Sequence, residues 1–191
     1  GQNIVVVTSS LDESPPTTIN NYDGLWHNQD FGINLTAEDD NSGVMETYYR
    51  INDGPTKTLT VDGQPYIATV GANNTLEYWS VDWAGNEEFS HKFLSEIKLD
   101  KASPLIEVPS RIPSGEVEPL QEVRITVDVT DVLSGVMEVG LSYTVDNGVT
   151  WQYQTMDYNI LGFYETTISG QPAGTLVKFK ILAYDQAGNI A

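Results

Sequence analysis

Short stretches of alternating apolar and polar residues run through the whole chain. Residues 31–38 alternate strictly, and residues 123–130 and 139–145 do the same in the second half. Alternation predicts half-buried antiparallel strands, because successive side chains of a strand point to opposite faces. Residues 52–54 (Asn-Asp-Gly) and 146–148 (Asp-Asn-Gly) are typical of tight hairpins. No segment has a sustained helical period, so the pattern predicts an all-β protein.

The second half of the chain repeats the scheme of the first. The spacing between Gly43 and Gly135 is 92 residues, and that between Gly85 and Gly188 is 103 residues. Unequal spacings indicate two domains of one topology with loops of different length, and they argue against a solenoid. The predicted parts are an N-terminal strand in residues 1–13, a β-sandwich in residues 14–101, and a second β-sandwich in residues 102–191 that lacks its last strand.

Two motifs occur once in each half. Ser-Gly-Val-Met is found at 42–45 and 134–137, and Asp-x-Ala-Gly-Asn at 82–86 and 185–189. With Pro15-Pro16, these motifs resemble the tandem immunoglobulin-like or fibronectin-III-like repeats of bacterial and archaeal surface proteins. The resemblance implies two immunoglobulin-like β-sandwiches in an extracellular or cell-surface protein. It does not select a function, because such repeats serve as stalks, adhesins, enzyme accessory modules and filament subunits.

The two ends of the chain depart from that repeat. Residues 11–16 resemble the junction at 99–104, so residues 1–13 are predicted to be the last strand of a preceding domain. Conversely, the second domain stops two residues after Asn189, where the first domain continues into another apolar stretch. The predicted donor strand is Ile4, Val5, Val6, Val7 and Thr8, and the predicted acceptor edge contains Phe179, Ile181, Ala183 and Tyr184.

These ends suggest a structural subunit that polymerises by donor-strand complementation. The N-terminal strand of one subunit would complete the C-terminal domain of the next, which gives a head-to-tail homopolymer such as a surface filament. A fragment cut from a longer repeat array, or a strand that folds back within one chain, would produce the same ends. The alternative function is a spacer, stalk or carbohydrate-binding accessory segment of a larger adhesin or secreted enzyme, with cell-surface glycans as possible partners.

Charge and composition disfavour several classes of partner and of chemistry. The formal net charge is −18, which disfavours a nucleic-acid partner because phosphate binding requires the opposite sign. The chain contains no cysteine, which excludes disulfides, thiolate metal sites and thiol catalysis. No apolar run approaches the roughly 18 residues of a membrane span.

Calcium is the one cofactor that the sequence suggests. Carboxylates near the predicted turns could supply the oxygen ligands that Ca²⁺ prefers. The simpler interpretation is that each aspartate accepts hydrogen bonds from the backbone of its own turn. The candidates are Asp39, Asp40, Asp82, Asp131 and Asp185.

The remaining polar and aromatic residues give weaker indications. His27 and His91 have no metal-ligand spacing and no nucleophile pattern beside them, so we expect no enzyme. Asn34 and Asn73 lie in N-glycosylation triplets. Tyr49, Tyr78 and Tyr143 are predicted core residues. Trp79, Val81, Leu182 and Tyr184 lie on the opposite face of their own strands and make that face unusually apolar. It could contact a neighbouring subunit or domain, a carbohydrate or another strand, and of these we expect a subunit or domain contact.

Overall fold

The structure is a computed structural model in which residues 11–191 are described. The predicted donor strand Ile4–Thr8 therefore lies outside the described residues. The chain divides into two compact units. The first unit contains Asp30–Lys98 and the described residues up to Leu25, and the second contains Trp26–Gln29 and Leu99–Ala191. The domain limits proposed from the sequence stay a prediction.

Almost all regular structure is β-strand. In the first part of the chain the elements are β1 (Thr17–Asn20), β2 (Trp26–His27), β3 (Phe31–Gly32), β4 (Leu35–Glu38), β5 (Val44–Ile51), β6 (Lys57–Thr58), α1 (Leu59–Asp62), β7 (Tyr66–Ile67), β8 (Gly71–Asp82) and β9 (Lys92–Leu99). The later strands are β10 (Leu105–Ile106), β11 (Ser110–Ile112), β12 (Val123–Val127), β13 (Val129–Thr130), β14 (Val136–Thr144), β15 (Gln152–Thr155), β16 (Asp157–Tyr158), β17 (Tyr164–Ile168) and β18 (Lys178–Asp185).

The first unit is built on the strand order β9-β8-β5-β6. β1 pairs with β4, and β3 pairs with β7, in two further antiparallel ladders. The buried side chains come from several of these strands and include Leu35, Tyr49, Ile67, Leu76 and Ile97. Burial of each large apolar side chain contributes roughly 1.5–3 kcal/mol, so this shared core holds the unit together.

The second unit is a sandwich of two main sheets. One sheet has the order β11-β12-β17-β16, and the other has the order β15-β14-β18. Its core combines Ile125 of β12 and Ile168 of β17 with Leu141 and Tyr143 of β14. Because both sheets contribute to one buried cluster, they pack face to face as in a β-sandwich.

The predicted all-β class and the predicted tyrosine core are confirmed. Tyr49, Tyr78 and Tyr143 are each less than one-tenth exposed. The predicted strand over 31–38 is interrupted between β3 and β4, however, because the Asn34 amide donates to the Asn21 side chain and the Leu35 amide donates to the Gln64 side chain. No helix among the described residues has the length and apolar character needed to cross a membrane.

Candidate functional site

An open sheet edge at β18

One edge of β18 has no partner strand among the described residues. β18 pairs with β14 on one side and is the last strand of its three-stranded sheet. In the first unit, the corresponding strand β8 lies between β5 and β9. The predicted acceptor residues Phe179, Ile181, Ala183 and Tyr184 all lie on β18. The structure thus places these residues on the strand with the open edge.

The backbone of β18 presents hydrogen-bonding groups at this edge. The amide and carbonyl of Ala183 exchange hydrogen bonds with Ala191, at 3.1 and 3.0 Å, on the side away from β14. Backbone groups alternate in direction along a strand, so those of Phe179 and Ile181 point to the same side as those of Ala183. Their side chains share the core-facing side of the sheet, since side-chain direction also has a period of two.

The first unit shows what a closed edge looks like at equivalent positions. The spacing of 103 residues between the closing motifs relates Leu76 to Phe179 and Tyr78 to Ile181. Leu76 is 0% exposed and Tyr78 is 5% exposed, whereas Phe179 and Ile181 are only half-buried. The difference follows from β9, whose Ile97 is completely buried beside β8.

A cavity of about 540 Å³ lies next to the open edge of β18. Its apolar lining comes from both sheets of the sandwich and includes Val123, Ile125, Ile168, Val177 and Phe179. Two loops, at 115–121 and 171–175, supply the rest of its wall. Core side chains therefore line a groove in the second unit, next to backbone groups of β18 that have no strand partner in the part of the chain that the structure describes.

The turn after β18 directs the chain back along this edge. Tyr184 and Ile190 form an isolated antiparallel bridge, and Ala191 pairs with Ala183. The first unit contains the same return, where the Glu88 amide donates to the Ser80 carbonyl at 3.0 Å. Ile190 and Ala191 of the second unit thus occupy the positions that precede β9 in the first unit.

Equivalent junctions and acidic clusters

Asp12 and Asp100 make the same contacts at the entrance of their respective units. Oδ2 of Asp12 accepts from the Ser42 amide at 2.8 Å, and Oδ2 of Asp100 accepts from the Ser134 amide at 2.9 Å. The Asn86 side chain donates to the Asp12 carbonyl at 3.0 Å. In the second unit, Asn189 donates to the Asp100 carbonyl at 2.9 Å.

The equivalence of these two aspartates allows the sequences before them to be aligned. β9 ends immediately before Asp100 and closes the sheet of the first unit. Residues 4–8 precede Asp12 by the same distance as the first half of β9 precedes Asp100. The predicted donor segment therefore corresponds in sequence to a strand that closes a sandwich.

Each unit contains a cluster of three aspartates. Asp12, Asp39 and Asp82 form the cluster of the first unit, and each offers an oxygen within 4.8 Å of the others. Asp100, Asp131 and Asp185 form the matching cluster of the second unit. Asp82, Asp100 and Asp185 are completely buried. Sequence reasoning missed Asp12 and Asp100, although both precede a proline by four residues, at Pro16 and Pro104.

One oxygen of Asp39 and one of Asp131 serve the turn, as the simpler interpretation predicts. Oδ1 of Asp39 accepts from the amides of Asn41 and Gly43, at 3.2 and 2.6 Å. Oδ1 of Asp131 accepts from the amide of Gly135 at 2.6 Å. The second oxygen, Oδ2, is buried in both aspartates and accepts no hydrogen bond from the described residues.

Two carboxylates of the first cluster, Asp12 and Asp82, are held in their ionised form. Hydrogen bonds from Ser42, followed by one from the Ser14 backbone, hold the pKa of Asp12 below its usual value. Burial opposes ionisation of Asp82, but the hydrogen bonds that Asn86 donates outweigh it and lower the pKa of Asp82. The first cluster thus combines negative charge with an unpartnered oxygen.

Other predicted residues

Asp40 is separate from both clusters. It is exposed and lies beside Asp39 in the chain, but only Asp39 shares the cluster. The glycosylation candidates Asn34 and Asn73 are both exposed, as an acceptor asparagine must be. Their modification stays a prediction.

Trp79, one residue of the apolar face predicted as a contact surface, is covered within the first unit. Trp79 is 7% exposed, because the His91 ring stacks on it at a centroid distance of 3.9 Å and the Tyr48 ring stacks at 5.6 Å. His91 also contacts the carboxylates of Glu77 and Glu87, at 2.8 and 2.9 Å. Side chains of the same unit thus cover the indole of Trp79, whereas Leu182 and Tyr184 of the second unit are half-buried. A contact of that face with another subunit or domain stays a prediction.

Similar proteins

No family model and no curated protein matches the sequence. Several solved structures are similar in fold at low identity. A tetra-tandem repeat from the extending region of a large adhesion protein is 18% identical, with a TM-score of 0.34 over 93% of this chain. The chain spans about half of that structure, at 47%.

Two further structures match nearly the whole chain. The fibronectin(III)-like modules of Clostridium thermocellum CbhA are 13% identical, with a TM-score of 0.43 over 92% of this chain and 89% of that one. A structure of carbohydrate-binding modules from the β-sandwich superfamily is 10% identical, with a TM-score of 0.41 over 94% of this chain and 99% of that one.

Proposed function

We propose that this chain is a structural segment of an extracellular surface protein, made of β-sandwiches that are joined end to end by their last strands. The observation that supports this proposal is the equivalence of Asp12 and Asp100, which make the same contacts with their respective units. At Asp100 the chain passes directly from a strand that closes one sandwich into the next unit. Residues 4–8 would serve a sandwich in the same way.

The proposed role is mechanical and not catalytic. Where the closing strand of one sandwich leads directly into the next sandwich, each added repeat lengthens the protein. Such repeats would separate the domains attached at their two ends. The net charge of −18 suits a surface exposed to water and salt. The role predicts that the chain is not retained on polysaccharide resins. Specific retention would favour the carbohydrate-binding alternative instead.

In a longer repeat protein, the groove of the second unit is closed in cis. The return of Ile190 and Ala191 along β18 supports this arrangement, because the first unit uses the same return to start β9. A chain extended by a copy of residues 89–99 after Ala191 should then be a monomer with a more stable second unit. An extension that leaves the stability of the second unit unchanged would contradict the arrangement.

The second candidate is closure in trans by donor-strand complementation. Residues 4–8 support it, because Ile-Val-Val-Val-Thr is strongly apolar and β-branched, as a strand inserted into a core must be. The segment and the groove lie at opposite ends of the chain sequence, so exchange between copies would give an open head-to-tail polymer. A surface filament is the assembly that this candidate predicts.

Light scattering and negative-stain microscopy of the chain separate the two candidates. Donor-strand exchange predicts linear polymers, which disappear when residues 1–10 are deleted or when Val5 and Val7 are replaced by aspartate. Replacing Gln2 and Asn3 by aspartate adds the same charge outside the strand and should leave polymers intact. Monomers at all concentrations, or polymers that survive the deletion, would exclude donor-strand exchange.

A further inference from the structure

We infer that each unit binds one Ca²⁺ at its aspartate cluster, Asp12–Asp39–Asp82 in the first unit and Asp100–Asp131–Asp185 in the second. The inference does not rest on the proposed function, because both clusters consist of residues of a single unit. Its ligands differ from those expected from the sequence, because they include Asp12 and Asp100 and do not include Asp40.

The spacing of the oxygens fits a single calcium ion. Protein oxygens coordinate Ca²⁺ at about 2.3–2.6 Å, so two ligands of one ion lie at most about 4.6–5.2 Å apart. In each cluster the three carboxylate oxygens lie within 4.8 Å of one another. Every candidate ligand is a carboxylate oxygen, which suits a hard cation and not a metal that prefers nitrogen or sulfur.

The unpartnered oxygens are the second observation that points to a cation. Among the described residues, three buried side-chain oxygens accept no protein hydrogen bond, and two of them are Oδ2 of Asp39 and Oδ2 of Asp131. Both carboxylates already satisfy their turns through Oδ1. Burial of a carboxylate oxygen without a partner is costly, and a bound cation would remove that cost.

The uncompensated negative charge of the two clusters also favours a bound cation. Three carboxylates at such distances repel one another, and burial strengthens the repulsion. None of the ion pairs between described residues brings a lysine, arginine or histidine to any of the six aspartates. The hydrogen bonds from Asn86 and Asn189 orient Asp82 and Asp185 but do not neutralise their charge.

Calcium at these clusters would fasten the start of each unit to its two turns. Asp12 and Asp100 lie where the chain enters a unit, Asp39 and Asp131 lie in the Ser-Gly turn, and Asp82 and Asp185 open the Ala-Gly-Asn turn. One ion would join three segments that are distant in sequence. The expected affinity is that of extracellular calcium modules, with Kd of about 10⁻⁴–10⁻³ M.

The test is Ca²⁺ titration of the full chain after removal of metal by a chelator. Calorimetry should give two ions per chain, and thermal unfolding should shift upward with Ca²⁺ and less with Mg²⁺, which prefers a smaller octahedral site. Asp39→Asn and Asp131→Asn should each reduce the stoichiometry to one, and the double variant should bind none. Asp40→Asn is the matched control and should still bind two.

The sign of the stability change distinguishes a metal site from a purely structural turn. In chelator, Asp39→Asn keeps a side-chain oxygen for the turn and removes one repelling charge, so its Tm should equal or exceed that of the unsubstituted chain. In Ca²⁺, its Tm should be lower. An equal loss of Tm in both conditions, or no binding at millimolar Ca²⁺, would overturn the inference.

Discussion

Truncation of equivalent core side chains should cost different free energies in the two units. Leu76 is completely buried between β5 and β9, so Leu76→Ala should lower the free energy of unfolding of the first unit by about 2–5 kcal/mol. Phe→Ala in a closed core costs about 3–5 kcal/mol. Because Phe179 faces a cavity of about 540 Å³, it lacks contacts on that side. We therefore expect Phe179→Ala to cost less than about 2 kcal/mol in the isolated chain.

The assay is hydrogen exchange of buried amides in each unit under increasing denaturant, which reports the two stabilities separately. Addition of a peptide with the sequence of residues 1–13 should raise the cost of Phe179→Ala towards about 3–5 kcal/mol, since the groove is then filled. Lys180→Ala changes an exposed side chain of the same strand, whose ammonium lies 5.1 Å from the centroid of the Trp151 ring, and should cost at most about 1 kcal/mol with or without peptide. A cost of 3–5 kcal/mol without peptide would refute the reasoning, because it would mean that the groove is already closed.

Three further predictions concern particular side chains. Burial disfavours the charged form of His91, but its hydrogen bonds to Glu87 and Glu77 raise its pKa above 6.5. The contribution of His91 to stability should therefore be complete below pH 6.5 and should be lost as pH rises through the raised pKa. A His91→Asn variant with the same pH dependence of stability would contradict this. Glu88→Ala leaves the buried amides of Thr18 and Ser80 without their acceptor. It should lower the free energy of unfolding in urea by about 2–4 kcal/mol, and Glu88→Gln should lower it by less. Equal stability of the alanine variant and the unsubstituted chain would show that these bonds contribute nothing. Gly170→Ala would place a Cβ 2.1–2.7 Å from backbone atoms of Leu120 and should lower the second unit's stability by about 1–3 kcal/mol, whereas Gly115→Ala meets no atom within 4 Å and serves as the control in the same thermal scan.

The strands and much of the core could be predicted from the sequence, because alternation is a local property. Tyr49, Tyr78 and Tyr143 are buried as their positions in the alternating pattern indicate. The positive backbone φ of Asn52 and Asn147 also follows from the local hairpin signals. Local patterns suffice for such features, since the information lies within a few residues.

The clusters could not be predicted to the same degree, because their members come from distant parts of the chain. Asp12 and Asp82 are 70 residues apart in sequence and meet only after the sheets have formed. Each predicted aspartate was placed at a turn on local grounds, and those grounds do not reveal which second oxygen is left without a partner. The covering of Trp79 by His91 is likewise a tertiary contact, which the alternating pattern does not encode.

The interruption of the strand over 31–38 has the same origin. Alternation treats all eight residues alike, but the amides of Asn34 and Leu35 donate to the side chains of Asn21 and Gln64 instead of to a neighbouring strand. Such side-chain and loop acceptors compete with the sheet ladder only where the fold brings them close. A sequence pattern therefore predicts the faces of a strand better than its continuity.

The most direct test of the central claim measures the amides of Phe179 and Ile181 by hydrogen exchange in a chain that lacks residues 1–10, with and without the peptide of residues 1–13. An open β18 edge predicts fast exchange of both amides without peptide and strong protection with it, while a peptide carrying aspartate in place of Val5 and Val7 gives none. Both amides already protected without peptide, or unprotected at saturating peptide, would contradict the account.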